Sequence, residues 1–157
     1  MSKKIYMDLD GTIYNLYGVK NWLEKLRNET SGVFLEGDFL VDYRNFMSCI
    51  EELIRQGYIF GVITWLPMQV SPEYEEICRK EKIEWINDYL PFVSEINICS
   101  YGIPKQNCIQ KRAKEMFLID DNVEVCKKWK TPTQRIAINI NEEYTVVDAL
   151  NEIIDLF

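Results

Sequence analysis

Four acidic positions frame the chemistry open to this chain. Asp8 and Asp10 straddle the end of an apolar run and lead into Gly11 and Thr12, while Asp120 and Asp121 follow the apolar run 116–119. Two more polar positions close on similar runs: Thr64 ends the stretch YIFGVIT, and Lys105 stands just after Pro104. Carboxylates gathered in one crevice repel each other unless a cation neutralises them, and oxygen donors without imidazole or thiolate select a hard ion such as Mg²⁺. Mg²⁺ in turn points to phosphate. Lys105, at a helix start set by Pro104, would bring an ammonium and a helix N-terminus to the same crevice as a second element that stabilises anions.

The rest of the composition narrows the choice. The chain has no histidine, which removes His-based triads, imidazole bases and His-ligated zinc together. Its five cysteines, Cys49, Cys78, Cys99, Cys108 and Cys126, show no C-x-x-C spacing and read as buried free thiols. With 18 Lys and Arg against 25 Asp and Glu, the net charge of −7 leaves no broad basic field to hold a nucleic-acid duplex. No apolar run reaches the ~18 residues of a membrane helix. The opening MSKKIYMDLD turns acidic before an apolar signal region can form, so the expected location is cytoplasmic. Neither a G-x-x-x-x-G-K-[ST] loop nor a G-x-G-x-x-G turn occurs among the seven glycines.

The elements that must position these residues follow from periodicity. Residues 5–9, 58–64, 95–99, 116–119 and 135–138 are short apolar runs ended by turn signals, and read as strands. Val19, Trp22, Leu23 and Leu26 fall at helical spacing, as do Phe46, Met47, Ile50, Leu53 and Ile54. Ser71-Pro72-Glu73 opens a long helix that runs to Pro91, with Tyr74, Ile77, Cys78, Trp85, Ile86, Tyr89 and Leu90 on one side. Further helices are expected from Pro104, over 122–128, and over 145–156. In this reading Trp22, Trp85 and Tyr89 are packing residues. Strands alternating with helices predict a single α/β domain with a mainly parallel five-stranded sheet, helices on both faces, and a ligand crevice at the carboxyl ends of the strands.

Asp8-Leu9-Asp10-Gly11-Thr12 after a strand resembles the first signature of the haloacid dehalogenase-like hydrolases. Thr64, Lys105 and Leu118-Ile119-Asp120-Asp121 resemble that family's second, third and fourth motifs in order, so the likeness covers most of the chain. It implies a Rossmann-like core and a Mg²⁺-dependent phosphatase for small phosphorylated substrates. Asp8 would attack phosphorus and become an aspartyl-phosphate, and Asp10 would protonate the leaving oxygen and then activate water. Gly11 and Thr12 would line the phosphate turn, and Thr64 would bond a phosphoryl oxygen. Asp8, Asp10 through its carbonyl, and one or both of Asp120 and Asp121 would hold the metal. Lys111 competes with Lys105 for the lysine role, and Asp120-Asp121 could equally cap the following helix.

A nearer likeness runs through Gly32-Val33-Phe34-Leu35-Glu36, Ile63-Thr64-Trp65-Leu66-Pro67 and Glu81-Lys82-Ile83-Glu84-Trp85-Ile86. These resemble the 5′(3′)-deoxyribonucleotidase branch, which removes phosphate from deoxynucleoside monophosphates. Only about 20 residues separate the first motif from Gly32, where that branch inserts a longer helical cap. The aperiodic apolar stretch within 29–42 is accordingly expected to be a small lid, with Phe34, Tyr14 and Trp65 as base or sugar contacts. Two rival readings use the same residues. One is a decayed relative that still binds phosphate or Mg²⁺. The other is a phospho-accepting receiver, although its acceptor Asp should end the third strand, where Ile98-Cys99-Ser100 stands.

Overall fold

The computed structural model describes residues 3–109, 113–130 and 135–156. Five strands, β1 (Lys3–Met7), β2 (Tyr58–Trp65), β3 (Glu95–Cys99), β4 (Glu115–Asp120) and β5 (Arg135–Asn139), form one sheet in the order β3-β2-β1-β4-β5, and every pairing is parallel. The helices are α1 (Trp22–Arg27), α2 (Tyr43–Arg55), α3 (Pro72–Tyr89), α4 (Val123–Trp129) and α5 (Val146–Ile154). This is the expected Rossmann-like α/β arrangement. Among the described residues, no helix is long and apolar enough to cross a membrane.

Strand pleating divides the core into two clusters. Ile5 and Met7 pack with Phe60, Val62, Phe117 and Ile119 against α2, α3 and α5, whereas the intervening Tyr6 packs with Leu118, Val125 and Trp129 beside α4. Local signals set the helix starts. Asp42 accepts from the Asn45 amide, Ser71 from the Tyr74 amide ahead of Pro72, and Asp148 takes the Thr145 amide. Because the chain passes from β1 outward through β2 and β3 and then returns to the other side of β1 with β4, the order reverses between β1 and β4. That switch point is where an open parallel sheet offers its crevice.

Three expectations need correction. The helix expected from Pro104 is a single 3₁₀ turn, Lys105–Asn107, among the described residues, so Lys105 has no helix dipole behind it. The first helix buries none of its residues fully: Trp22 and Leu26 pack half-buried against the core, whereas Leu23 is exposed. On α3, Ile77 and Tyr89 are exposed, while the charged pair Glu81 and Lys82 is buried.

Candidate active site

The crevice at the switch point is a cavity of about 480 Å³. Asp8 and Asp10 reach it from the end of β1, Asp120 and Asp121 from the end of β4, and Lys105 from the turn after β3. Lys105 Nζ donates to Asp8 Oδ1 at 2.8 Å and to Asp120 Oδ2 at 2.6 Å. Thr12, fully buried, donates its hydroxyl to Asp8 Oδ2 at 3.3 Å. One carboxylate oxygen from each of Asp8, Asp120 and Asp121 falls within 4.8 Å of the others. That all-oxygen set fits a hard divalent cation.

The electrostatics follow from packing acids at a buried strand end. Burial, then the Asp8 charge, pushes the Asp120 carboxyl up to about 6, against the opposing pull of Lys105. Asp121 is pushed up to about 9 by burial and by its two acidic neighbours. Burial alone would lower the Lys105 ammonium, but Asp8 and Asp120 outweigh it and raise its pKa above the ordinary lysine value. Both acids could have served as helix caps, but Asn122 caps α4 instead, accepting from the Glu124 and Val125 amides. The Asn122 amide in turn donates to Asp120 Oδ1 at 2.9 Å. Gly11 turns the chain here with φ +79, and a Cβ in its place would collide with Asp121 Oδ2.

A second lysine completes the site. Lys82 on α3 is wholly buried, and its Nζ donates to Asp10 Oδ2 at 2.7 Å, to Thr64 Oγ1 at 2.7 Å and to the Trp65 carbonyl at 2.8 Å. Its remaining side is covered by the Phe34 ring, 4.6 Å from Nζ to the centroid. Asp10 Oδ1 is buried without a hydrogen-bond partner among the described residues. Burial raises the Asp10 carboxyl above its ordinary value, with Lys82 pulling the other way. Helical periodicity in the sequence gives no sign that this lysine turns inward.

The other sequence candidates divide. Phe34 and Trp65 line the cavity, Trp65 with its indole N–H donated to the Ile103 carbonyl at 2.8 Å. Thr64 lies behind the wall rather than on it, held by Lys82. Tyr14 is core. Its hydroxyl donates to the Val33 carbonyl at 2.6 Å and accepts from the Gly37 amide at 2.7 Å, and it is absent from the cavity lining. Lys111 lies outside the described residues.

The segment 29–42, expected to be a small lid, contributes Phe34 to the cavity wall and is fastened to the body of the domain. Besides the Tyr14 bonds, Glu81 accepts from the Gly32 and Phe34 amides at 2.7 and 3.2 Å, and the Leu40 amide donates to the Ile13 carbonyl at 2.8 Å. α1 forms another part of the cavity wall, with Trp22 edge-on to Tyr17 at 4.9 Å between centroids. The chain matches no known family model, and no curated protein is recognisably similar to it.

Proposed function

We propose that this protein is a Mg²⁺-dependent phosphohydrolase that acts on a small phosphomonoester through an aspartyl-phosphate on Asp8. The observation that carries the reading is Lys105 clasped between Asp8 and Asp120 on the cavity floor, with Asp121 close enough to share a cation with both. Phosphomonoester hydrolysis needs accelerations of up to ~10²¹-fold, and an anionic nucleophile must be shielded from an anionic target. A hard cation held by Asp8, Asp120 and Asp121 would supply positive charge beside the phosphate.

The chain's own groups supply the rest. Asp8 attacks phosphorus as the bond to the leaving oxygen breaks, with Lys105 fixing its carboxylate and adding positive charge. Asp10, whose carboxyl is raised by burial, gives its proton to that leaving oxygen. It then takes a proton from the water that attacks the aspartyl-phosphate, which frees Asp8 and releases inorganic phosphate. Lys82 and Thr64 keep Asp10 at its station.

The test is hydrolysis of p-nitrophenyl phosphate and of a deoxynucleoside monophosphate, with Mg²⁺ and in excess EDTA. Turnover is expected only with the cation. Asp8→Asn keeps the volume, relieves carboxylate repulsion and should lower kcat by about 10⁴-fold or more without loss of fold. Full activity in EDTA, or near-normal turnover by the Asp8→Asn protein, would overturn the reading.

A further inference from the structure

A phosphoryl group occupies only a small part of the cavity, so its walls must be matched to whatever the phosphate is attached to. One wall is α1. Trp22, Leu23 and Leu26 recur on one helical face and all three line the cavity; Trp22 and Leu26 are half-buried against the core, and Leu23 is exposed. Met68 and Tyr101 face the same space from other loops, and both remain about half exposed. Apolar surface that lines a cavity and stays exposed there, as at Leu23, Met68 and Tyr101, is matched to an apolar ligand body.

Arg27 is the next residue on that face, one helical turn beyond Leu23, and it also lines the cavity. Among the described residues, Lys105 and Arg27 are the cations that line the cavity, and they are in different states. Lys105 is committed to Asp8 and Asp120, whereas Arg27 has no hydrogen-bond or ion-pair partner among the described residues. The neighbouring Lys25 is not a substitute, being paired with Glu36 at 2.8 Å. The helix is also held in position at its far end, where Glu29 accepts from the Ser71 amide and hydroxyl. The guanidinium is therefore presented by a fixed element, and its planar fork suits carboxylate and phosphate oxygens.

We propose that the substrate is a phosphomonoester whose leaving group joins an apolar body to a second anionic group, with α1 receiving the body and Arg27 the second anion. The proposal rests on the hydrolase reading for the phosphoryl end, while the selectivity belongs to α1. The apolar face excludes water from the leaving group, and Arg27 discriminates between leaving groups that do and do not carry charge.

The probes are benzylphosphonates, which bind but cannot be hydrolysed, carrying a para carboxylate, a para phosphonate or the neutral para carboxamide. Affinity is measured by calorimetry with Mg²⁺ for the wild type and for Arg27→Gln. At least one anionic probe should bind the wild type about tenfold more tightly than the carboxamide, and Arg27→Gln should erase most of that ratio. The carboxylate and phosphonate arms identify which anion is preferred. The matching aryl phosphates are then assayed for hydrolysis, where the ratio of kcat/KM between anionic and neutral substrates should fall about tenfold in the variant. Using the ratio cancels differences in leaving-group reactivity. The proposal is overturned if the wild type does not favour either anion, or if the ratio survives Arg27→Gln. Selective binding without any hydrolysis would sustain the α1 assignment and overturn the hydrolase reading instead.

Discussion

Two buried lysines divide the site into halves that are built differently. Lys105 comes from a single 3₁₀ turn, lines the cavity and lies between two carboxylates that also belong to the candidate cation cluster. Lys82 comes from the middle of an 18-residue helix, lies behind the cavity wall and holds one carboxylate, one hydroxyl and one carbonyl. The first half is crowded with negative charge and is suited to exchanging partners when a cation or phosphate arrives. The second has a single charge pair, closed over by Phe34, and is suited to holding Asp10 still. The comparison teaches that a buried ammonium can be part of the reacting surface or part of its scaffold, and that its neighbours decide which.

Removing each lysine in turn is the strongest way to break that comparison. Lys105→Met and Lys82→Met both leave buried carboxylate without its partner, and each should cost about 3–5 kcal/mol of stability. The responses to Mg²⁺ should differ. A cation among Asp8, Asp120 and Asp121 can replace the charge lost with Lys105, so Mg²⁺ should raise the Tm of Lys105→Met substantially more than that of Lys82→Met. Thermal melts with and without the ion decide it. Equal Mg²⁺ responses in the two variants would erase the distinction between a reacting half and a scaffold half.

The same contrast explains what the sequence made legible. The parallel sheet was readable because each strand is a short apolar run stopped by a polar turn, and the acids at 8, 10, 120 and 121 came with those turns. Lys105 was readable from its place after β3, although the helix behind it proved to be one turn. Lys82 was not readable from pattern, because a charged residue on a long helix normally faces solvent. Its burial depends on Asp10, Thr64 and Phe34 converging from three other segments. The stripe of α1 was half legible for a related reason, since Trp22 and Leu26 touch the core while the same face lines the cavity. Periodicity reports that a helix has an apolar face, but not whether core or cavity lies opposite. The fastening of the 29–42 segment was not legible, because Tyr14 and Glu81 hold it through backbone groups, which side-chain patterning does not register.

A smaller effect sharpens the charge contrast. In the Lys105 half, Asp120 and Asp121 are raised to about 6 and about 9, well above the ~3.9 of an unfolded aspartate. A raised carboxyl means that the folded state holds more protons. The resulting stability is present below about pH 4 and is lost as pH rises through the two folded values. Mg²⁺ binding needs the ionised acids, so its affinity should strengthen over the same interval and release protons. The gain in Tm from Mg²⁺ should therefore be larger at pH 9 than at pH 6, and Asp121→Asn should flatten the upper part of that rise. A gain independent of pH in the wild type would mean that these two carboxyls do not take the ion.

The smallest effect concerns the support beneath the Lys82 half. Tyr14 packs edge-on to Trp85 at 5.1 Å and lies 6.4 Å from Phe34, the ring that closes over Lys82. Tyr14→Phe keeps these ring contacts and deletes only the hydroxyl, which ties the Val33 carbonyl and the Gly37 amide together. Each bond contributes about 0.5–1.5 kcal/mol, and a buried backbone group left unpaired adds to the loss, so about 1–3 kcal/mol of stability should disappear. A support acts through Phe34 and Lys82, so kcat should fall modestly as Asp10 loosens while the KM for a phosphomonoester changes little. Were Tyr14 a substrate contact, the variant would keep its stability and raise KM for a nucleotide but not for p-nitrophenyl phosphate. Denaturant unfolding and the two KM values separate the outcomes, and a specific rise in nucleotide KM with unaltered stability would return Tyr14 to the binding surface.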